Sequence, residues 1–405
     1  MASTPRSPRQ FPKTGFVILD SSEVIEEEDL PSYNAAKFYP VYIGEVFNSR
    51  YQVVSKLGYG ASSTVWLCRD LQAEKYMTLK VCVQGLCPRT ELSVSEQLSQ
   101  AEAHFGKRLV RLFVDSFEVV GPSNGKHMCL IYQPLGMSFT EFQKLLPETR
   151  FPKELAQRSL QLISIALDFL HKNDTVHTVL DISSNNILQG LEDDSILGRI
   201  EEDEMQRPIA RKVLEDREIY YSRPMPTCEG LPVLADLGEA RQGKSKHRGD
   251  IMPGIYRAPE VILGMDWDAK VDVWSIGTLA WDLVTGSHLF FAKANGFLND
   301  EQHLAEMVSL MGPPPPEFLS KAQNCHKYWD GKGNWKGSIP IPDQSFETRL
   351  QEWPDDDRRV FLAFLRKIFR WVPDDRPTAE ELAFDEFLMQ PVLAARRDGL
   401  SATNH

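Results

Sequence analysis

A chain of 405 residues with 42% hydrophobic and 25% charged content has the composition of an ordinary globular protein. It is long enough for one large domain or for two lobes around a shared cleft. Its formal net charge of -12 supplies no general electrostatic reason to bind nucleic acid or anionic lipid, and favours basic protein partners.

The opening stretch "MASTPRSPRQFPKTG" carries basic residues but no apolar core, which excludes a secretory signal. Residues 1–36 are polar and acidic, with an acid run at Glu26–Asp29, and read as a disordered arm. From Phe38 the pattern changes. "RYQVVSKLGYGASSTVWLCRD" predicts two strands joined by a glycine turn, and "KYMTLKVCV" predicts a third. "TELSVSEQLSQAEAHF" has helical spacing, and "LVRLFVDSFEVV" and "HMCLIYQPL" predict two more strands. After Gly136 the pattern turns helical. "KELAQRSLQLISIALDFLHK" puts Leu155, Leu162, Ile163, Ala166 and Leu170 on one face. The segment from Leu191 to Gly230 is acidic and too long for a bare connection, so it reads as an irregular insertion. "AKVDVWSIGTLAWDLVTG" is apolar nearly all round and predicts a buried central helix. "DDRPTAEELAFDEFL" predicts a capped helix near the end of the chain. The cysteines Cys68, Cys82, Cys87, Cys129, Cys228 and Cys325 are scattered without metal-binding spacing, as in a reducing compartment. No apolar run approaches the length of a membrane helix.

The candidate chemistry follows the same order. Gly58 and Gly60, with Ser63 after them, form a glycine-rich hairpin whose backbone can approach phosphates without a Cβ clash. No Gly-Lys-Ser/Thr follows, which excludes a Walker loop. Lys80 sits in an apolar strand, where an unpaired ammonium is costly. It either snorkels to water at a strand edge or pairs with an acid on the next helix, Glu91 in preference to Glu96. "VHTVLDISSNNIL" holds Asp181 and Asn186 four residues apart, the spacing with which one loop carries a general base and a metal ligand. Asp236 in "LADLGEAR" follows a short apolar strand, where a magnesium-holding carboxylate belongs. Glu260 in "YRAPE" has Arg376 as its expected ion-pair partner, and Asp272 is expected to brace the backbone of the Asp181 loop.

Taken together and in this order, these motifs resemble those of the eukaryotic protein kinases. Within that class "YPVYIGEVFNSRYQVVSKLGYGASSTVWLCRD", "PVLADLGEAR", "YRAPEVILGMDWDAKVDVWSIG" and "DEQHLAEMVSLMGPPPPEFL" resemble an SR-protein kinase of the fungal type. The resemblance spans about Phe38 to Leu388. It implies an α+β, two-lobed fold: a β-rich N-lobe over 37–136, and a helical C-lobe over 137–392 with the insertion at about 191–230. Residues 393–405 form a tail. It also implies a monomeric, ATP- and Mg²⁺-dependent serine/threonine kinase acting on protein substrates, basic or Ser/Arg-containing, in the cytoplasm or nucleus, with no nucleic acid or membrane partner. Asp181 and Lys80 would be catalytic, and Asn186 and Asp236 would hold metal. Gly58, Gly60, Ser63, Val65, Lys80 and Glu91 would line the nucleotide site. Tyr132 would be the gatekeeper, and the backbone from Gln133 to Leu135 would grip the adenine.

Three departures from the family pattern keep a second reading open. Val179 and Leu180 lengthen the loop after His177-Thr178, which puts in doubt the packing of His177 beneath Asp236. Ser183 replaces a lysine, and Pro253 stands where a threonine is usual. A pseudokinase or ATP-binding scaffold is the alternative. The acids expected to dock Arg/Ser repeats are also reduced, to Asp300 and Glu301.

Overall fold

The computed structural model describes residues 7–178, 184–252 and 254–402, with side chains up to residue 396. The described chain forms two compact units. One contains residues up to Ser95, Arg111–Met137 and Gln189–Gly230; the other contains Glu96–Val110, Ser138–Leu188 and Leu231 onward.

The first unit is built on a six-stranded antiparallel sheet of order β1-β2-β3-β4-β6-β5. The strands are β1 (Val46–Phe47), β2 (Tyr51–Gly60), β3 (Ser63–Asp70), β4 (Lys75–Cys82), β5 (Phe113–Val120) and β6 (Lys126–Tyr132). All five strands expected from the sequence are present. Their inward residues, among them Phe47, Val53, Trp66, Met77, Leu79, Cys129 and Ile131, form one apolar cluster. β-branched and aromatic residues favour this pleated, half-buried setting. The predicted helix runs over Arg89–Gln100.

The N-terminal arm departs from its expected disorder. Arg9 and Gln52 exchange hydrogen bonds of 2.8 and 2.7 Å, and Leu19 N–H donates to the Arg211 carbonyl at 3.0 Å. Glu26 and Glu27 pair with Lys56, and Glu28 with Lys212. The arm is acidic because it answers buried cations: Lys56 is 0% exposed and Lys212 3%. An unpaired charge in such a place is costly, so the acids order the chain around it.

The insertion also departs from expectation. It is a helix, Ser195–Gln206, followed by a hairpin of Arg211–Val213 and Glu218–Tyr220, and it belongs with the sheet unit rather than the helical one. Glu201 accepts hydrogen bonds from Arg69 and Tyr76 of the sheet, and Glu204 pairs with Arg211 and Arg223. Its two ends meet where Gly190 and Gly230 touch: a Cβ on Gly230 would lie 2.4 Å from the Gly190 carbonyl. Only glycine permits that approach.

The second unit is helical. Its centre is the expected helix, Lys270–Thr285, buried from Val271 to Val284 and ended by Gly286 at φ 72°. The helix Lys153–Lys172 buries Leu160, Ile163, Ala166, Leu167 and Leu170. Leu155, assigned to that face from sequence spacing, is 38% exposed instead. The inward stripe of a real helix starts only where a neighbour covers it. Glu260 and Arg376 pair as expected, with two contacts of 2.7 Å and neither side chain exposed. The late helix is two: Thr378 caps Ala379–Ala383, and a second begins at Glu386. Among the described residues no helix is long and apolar enough to cross a membrane.

His303, in the helix Asp300–Met311, is fully buried beside the Phe290 ring, and both its ring nitrogens lack a partner among the described residues. Burial, reinforced by the nearby Arg257 charge, pushes the imidazole down from 6.5 to about 3. The unfolded chain therefore takes up a proton that the folded chain refuses. The resulting stabilisation is complete above pH 6.5 and is lost as the pH falls toward 3. A His303→Leu variant should flatten the pH dependence of urea unfolding below pH 6.5 by about 1.4 kcal/mol per pH unit. An unchanged slope would contradict this account.

Candidate active site

In the sheet unit, Lys80 lies on β4 opposite Val65 of β3, which itself faces Gly58 across β2. The ammonium leaves the apolar strand and is met by Glu91, from the first turn of the following helix, at 2.8 and 3.1 Å. Lys80 is 20% exposed at its side chain and Glu91 8%. Only the short stretch from Val83 to Pro88 joins strand and helix, so the first helical turn starts within reach. Glu96, the alternative partner, is exposed and belongs to the other unit.

Glu91 serves a second group. The Tyr132 hydroxyl donates to it, and the Arg111 guanidinium lies 4.5 Å from the Tyr132 ring centre. Burial first, and then the Glu91 charge, pushes the Tyr132 phenol well above its usual range. Sequence reading missed this shared carboxylate, because the two residues are 41 positions apart and no local pattern links them.

Gly58 and Gly60 lie not in the turn but on the last residues of β2, paired with Val65 and Ser63 of β3, and the turn itself is Ala61–Ser62. A Cβ built on either glycine meets no atom within 4 Å, so this end of the hairpin is open. Ser63 is buried opposite Gly60 and Cys82, so it belongs to the strand pair rather than to the turn. Beyond β6, Gln133 is exposed and Leu135 half-buried. Gly136 N–H donates to the Gln189 carbonyl at 2.7 Å, and Gln189 N–H to Met137 at 3.0 Å. This ladder fixes the backbone that follows Leu135.

In the helical unit, Ala235 N–H donates to the Asn186 carbonyl at 2.8 Å, which joins the Asn186 loop to the one carrying Asp236. Asp236 sits at φ 64°, a strained setting for a residue with a side chain. Its carboxylate is exposed and accepts from Gly238 N–H at 3.2 Å. Asp272, 1% exposed, accepts from the backbone N–H of His177 at 2.9 Å and of Thr178 at 3.1 Å, and contacts His171 Nε2 at 2.8 Å. Thr178 is itself at φ 48°, an outlier for a β-branched residue. His177 is fully buried, and burial lowers its pKa while the Asp272 and Asp236 charges oppose that. The residues at issue in the loop after Thr178, Val179, Leu180, Asp181 and Ser183, and also Pro253, lie outside the described residues.

The geometry thus brings Lys80 to Glu91 in one unit, and Asn186 to Asp236 in the other. A partly exposed ammonium near the open end of a glycine-bearing hairpin suits phosphate oxygens. One carboxylate and one amide, with no sulfur or imidazole, suit a hard divalent cation that keeps water or phosphate as its other ligands. The residues present fit both groups.

Residues 51–388 match the family profile described as protein kinase domain. A serine/threonine protein kinase of Aspergillus fumigatus is 42% identical over 393 residues, which covers 95% of this chain and 96% of that protein. The serine/threonine-protein kinase SRPK of Physarum polycephalum is 29% identical, covering 89% of this chain and 92% of that one. SRSF protein kinase 3 of Mus musculus is 24% identical, with 88% and 89% covered.

The Asp272 contacts can be tested directly. In Asp272→Asn the amide nitrogen replaces one acceptor, so one of the two backbone N–H groups loses its partner. The urea midpoint should fall by the equivalent of about 1.5–3 kcal/mol. A midpoint that does not move would show that the carboxylate does not hold this loop.

Proposed function

Since the chain belongs to the protein kinase family, among its serine/threonine kinases, we propose that it transfers the ATP γ-phosphate, with magnesium, to serine or threonine in basic protein segments. The observation that carries this reading is the Lys80–Glu91 pair, with contacts of 2.8 and 3.1 Å. It presents an ammonium to phosphate oxygens beside the open end of the glycine-bearing hairpin.

In this reading Lys80 holds and orients the phosphates, and Glu91 keeps the Lys80 side chain from turning away. Gly58, Gly60, Ser63 and Val65 shape the floor and turn of the nucleotide site, and the backbone from Gln133 to Leu135 receives the adenine edge. Asn186 and Asp236 would hold magnesium, which when bound would neutralise phosphate charge. Asp181 receives the proton of the substrate hydroxyl and fixes its direction. Most of the acceleration then comes from positioning and charge compensation, so a serine at Ser183 slows transfer without abolishing it.

Two features bear on the substrate. Asp300 is already paired with Arg257, and Glu301 accepts from Ser338 and Ile339. Both acids expected to dock Arg/Ser repeats are thus engaged within the chain, which supports short basic segments over long repeats. Next to Asn186, a cavity of about 430 Å³ is lined by Ser184, Asn185, Tyr256, Asp282 and His288. The Asp282 carboxylate there is likewise engaged, accepting from Tyr256 at 2.6 Å and meeting His288 at 2.8 Å. A reducing compartment, cytoplasm or nucleus, suits six cysteines that form no disulfide.

The test is transfer of labelled phosphate to basic serine peptides. Asp181→Asn should lower the rate by about a hundredfold to ten-thousandfold while keeping the rise in melting temperature that MgATP produces. Asp236→Asn should lose the magnesium-dependent part of that rise, and Ser183→Lys should raise the rate. A wild-type chain that is stabilised by MgATP but transfers nothing would be a binding protein, not a kinase. One that is not stabilised at all would refute the nucleotide site.

A further inference from the structure

β2 approaches its glycines with a buried lysine. Lys56 is fully buried, two residues before Gly58, and the register of β2 on β3 shifts between them. Such an irregularity bends a strand and raises its twist. What fixes the bend is therefore what holds Lys56. Its ammonium pairs with Glu27 and, at 3.3 Å, with Glu26, both from the N-terminal arm, and donates to the Tyr220 carbonyl of the insertion at 3.1 Å. Its carbonyl accepts from Arg223 N–H at 2.9 Å. Ser222 in turn holds Glu26 through its N–H at 3.0 Å and its hydroxyl at 2.6 Å.

The node reaches along β2 to its glycines. Tyr59, between the two glycines, has its ring 5.1 Å from the Lys56 ammonium. Burial, and then the charges of Glu26, Asp29 and Glu27, raise the Tyr59 phenol above its ordinary value, which puts the ring in the field of the arm's acids. Two segments distant in sequence, the arm and the insertion, thus converge on one residue of β2 just before its glycines.

We propose that Lys56 is a positioning residue for nucleotide: its pairing with Glu26 and Glu27 of the arm sets the angle of the Gly58–Gly60 end of β2, with the hairpin turn at its tip, and so the affinity for ATP. This rests on the kinase reading of that hairpin. The arm then acts on the nucleotide site through Lys56.

The test uses the full chain, MgATP and a basic serine peptide. In Glu26→Gln/Glu27→Gln, KM for ATP should rise about tenfold while kcat stays within about twofold, and amide exchange at Tyr59–Ala61 should quicken. Arg50→Gln breaks the ion pair with Asp70 at the opposite end of β2 and β3, and should lower the melting temperature without moving KM. A double variant with a lower melting temperature and an unchanged KM would overturn the proposal, since Lys56 would then be structural only. Should the double variant not fold, Glu26→Gln alone leaves Glu27 in place and should raise KM about threefold; an unchanged KM there is equally fatal. A wild-type chain that neither binds nor uses MgATP defeats the kinase reading and this inference with it. An active wild type with unaltered variants defeats the inference alone.

Discussion

Burying Asp272 is costly, and the helical unit is arranged around meeting that cost. A carboxylate 1% exposed needs several donors at once. It finds them in two consecutive backbone N–H groups, His177 and Thr178, and in the His171 ring. Both amides come from the entrance to the loop that carries the candidate base and metal ligand. The central helix is buried almost all round, so the carboxylate has no other direction in which to relax. The strained Thr178 is tolerable because two charge-assisted bonds flank it. The entrance to that loop, at His177 and Thr178, is thus held by one buried side chain of the central helix.

The sheet unit solves the same problem with opposite signs. Lys56, Lys212 and Arg211 are cations in or against strands, each nearly devoid of solvent. The lysines take their counter-charges from far away in sequence, Glu26, Glu27 and Glu28 on the arm, whereas Arg211 takes Glu204 from its own insertion. These pairs explain why the reading of the chain succeeded and failed where it did. Strands β2 to β6, the central helix and the Glu260–Arg376 pair were legible, because alternation, an unbroken apolar run and motif order are local signals. Glu91 was legible for the same reason, being one short connection away from Lys80. The order in the arm was not. An acid run with few apolar residues is indistinguishable from a solvated tail unless the buried cation it answers is known. Nor was the fold of the insertion, since Glu201 and Glu204 read as surface acids until Arg69, Arg211 and Arg223 are brought beside them. Leu155 shows a smaller version of this limit: period is visible in sequence, but where the covering neighbour begins is not.

The meeting of Gly190 and Gly230 has a different kind of consequence. Two backbones pinched together at a pair of glycines close the segment between them into a loop, which is tied to the sheet and the arm at further points. The price of lengthening a closed loop rises only with the logarithm of its length, about 0.6 kcal/mol for each doubling. Residues could be gained or lost between the pinned ends over evolutionary time with little disturbance to the sheet, provided Glu201, Glu204 and Tyr220 keep their anchorage. The pinch makes this part of the molecule a slot for variation, in which new sequence can be tried while the adjoining Gln189 ladder stays as it is.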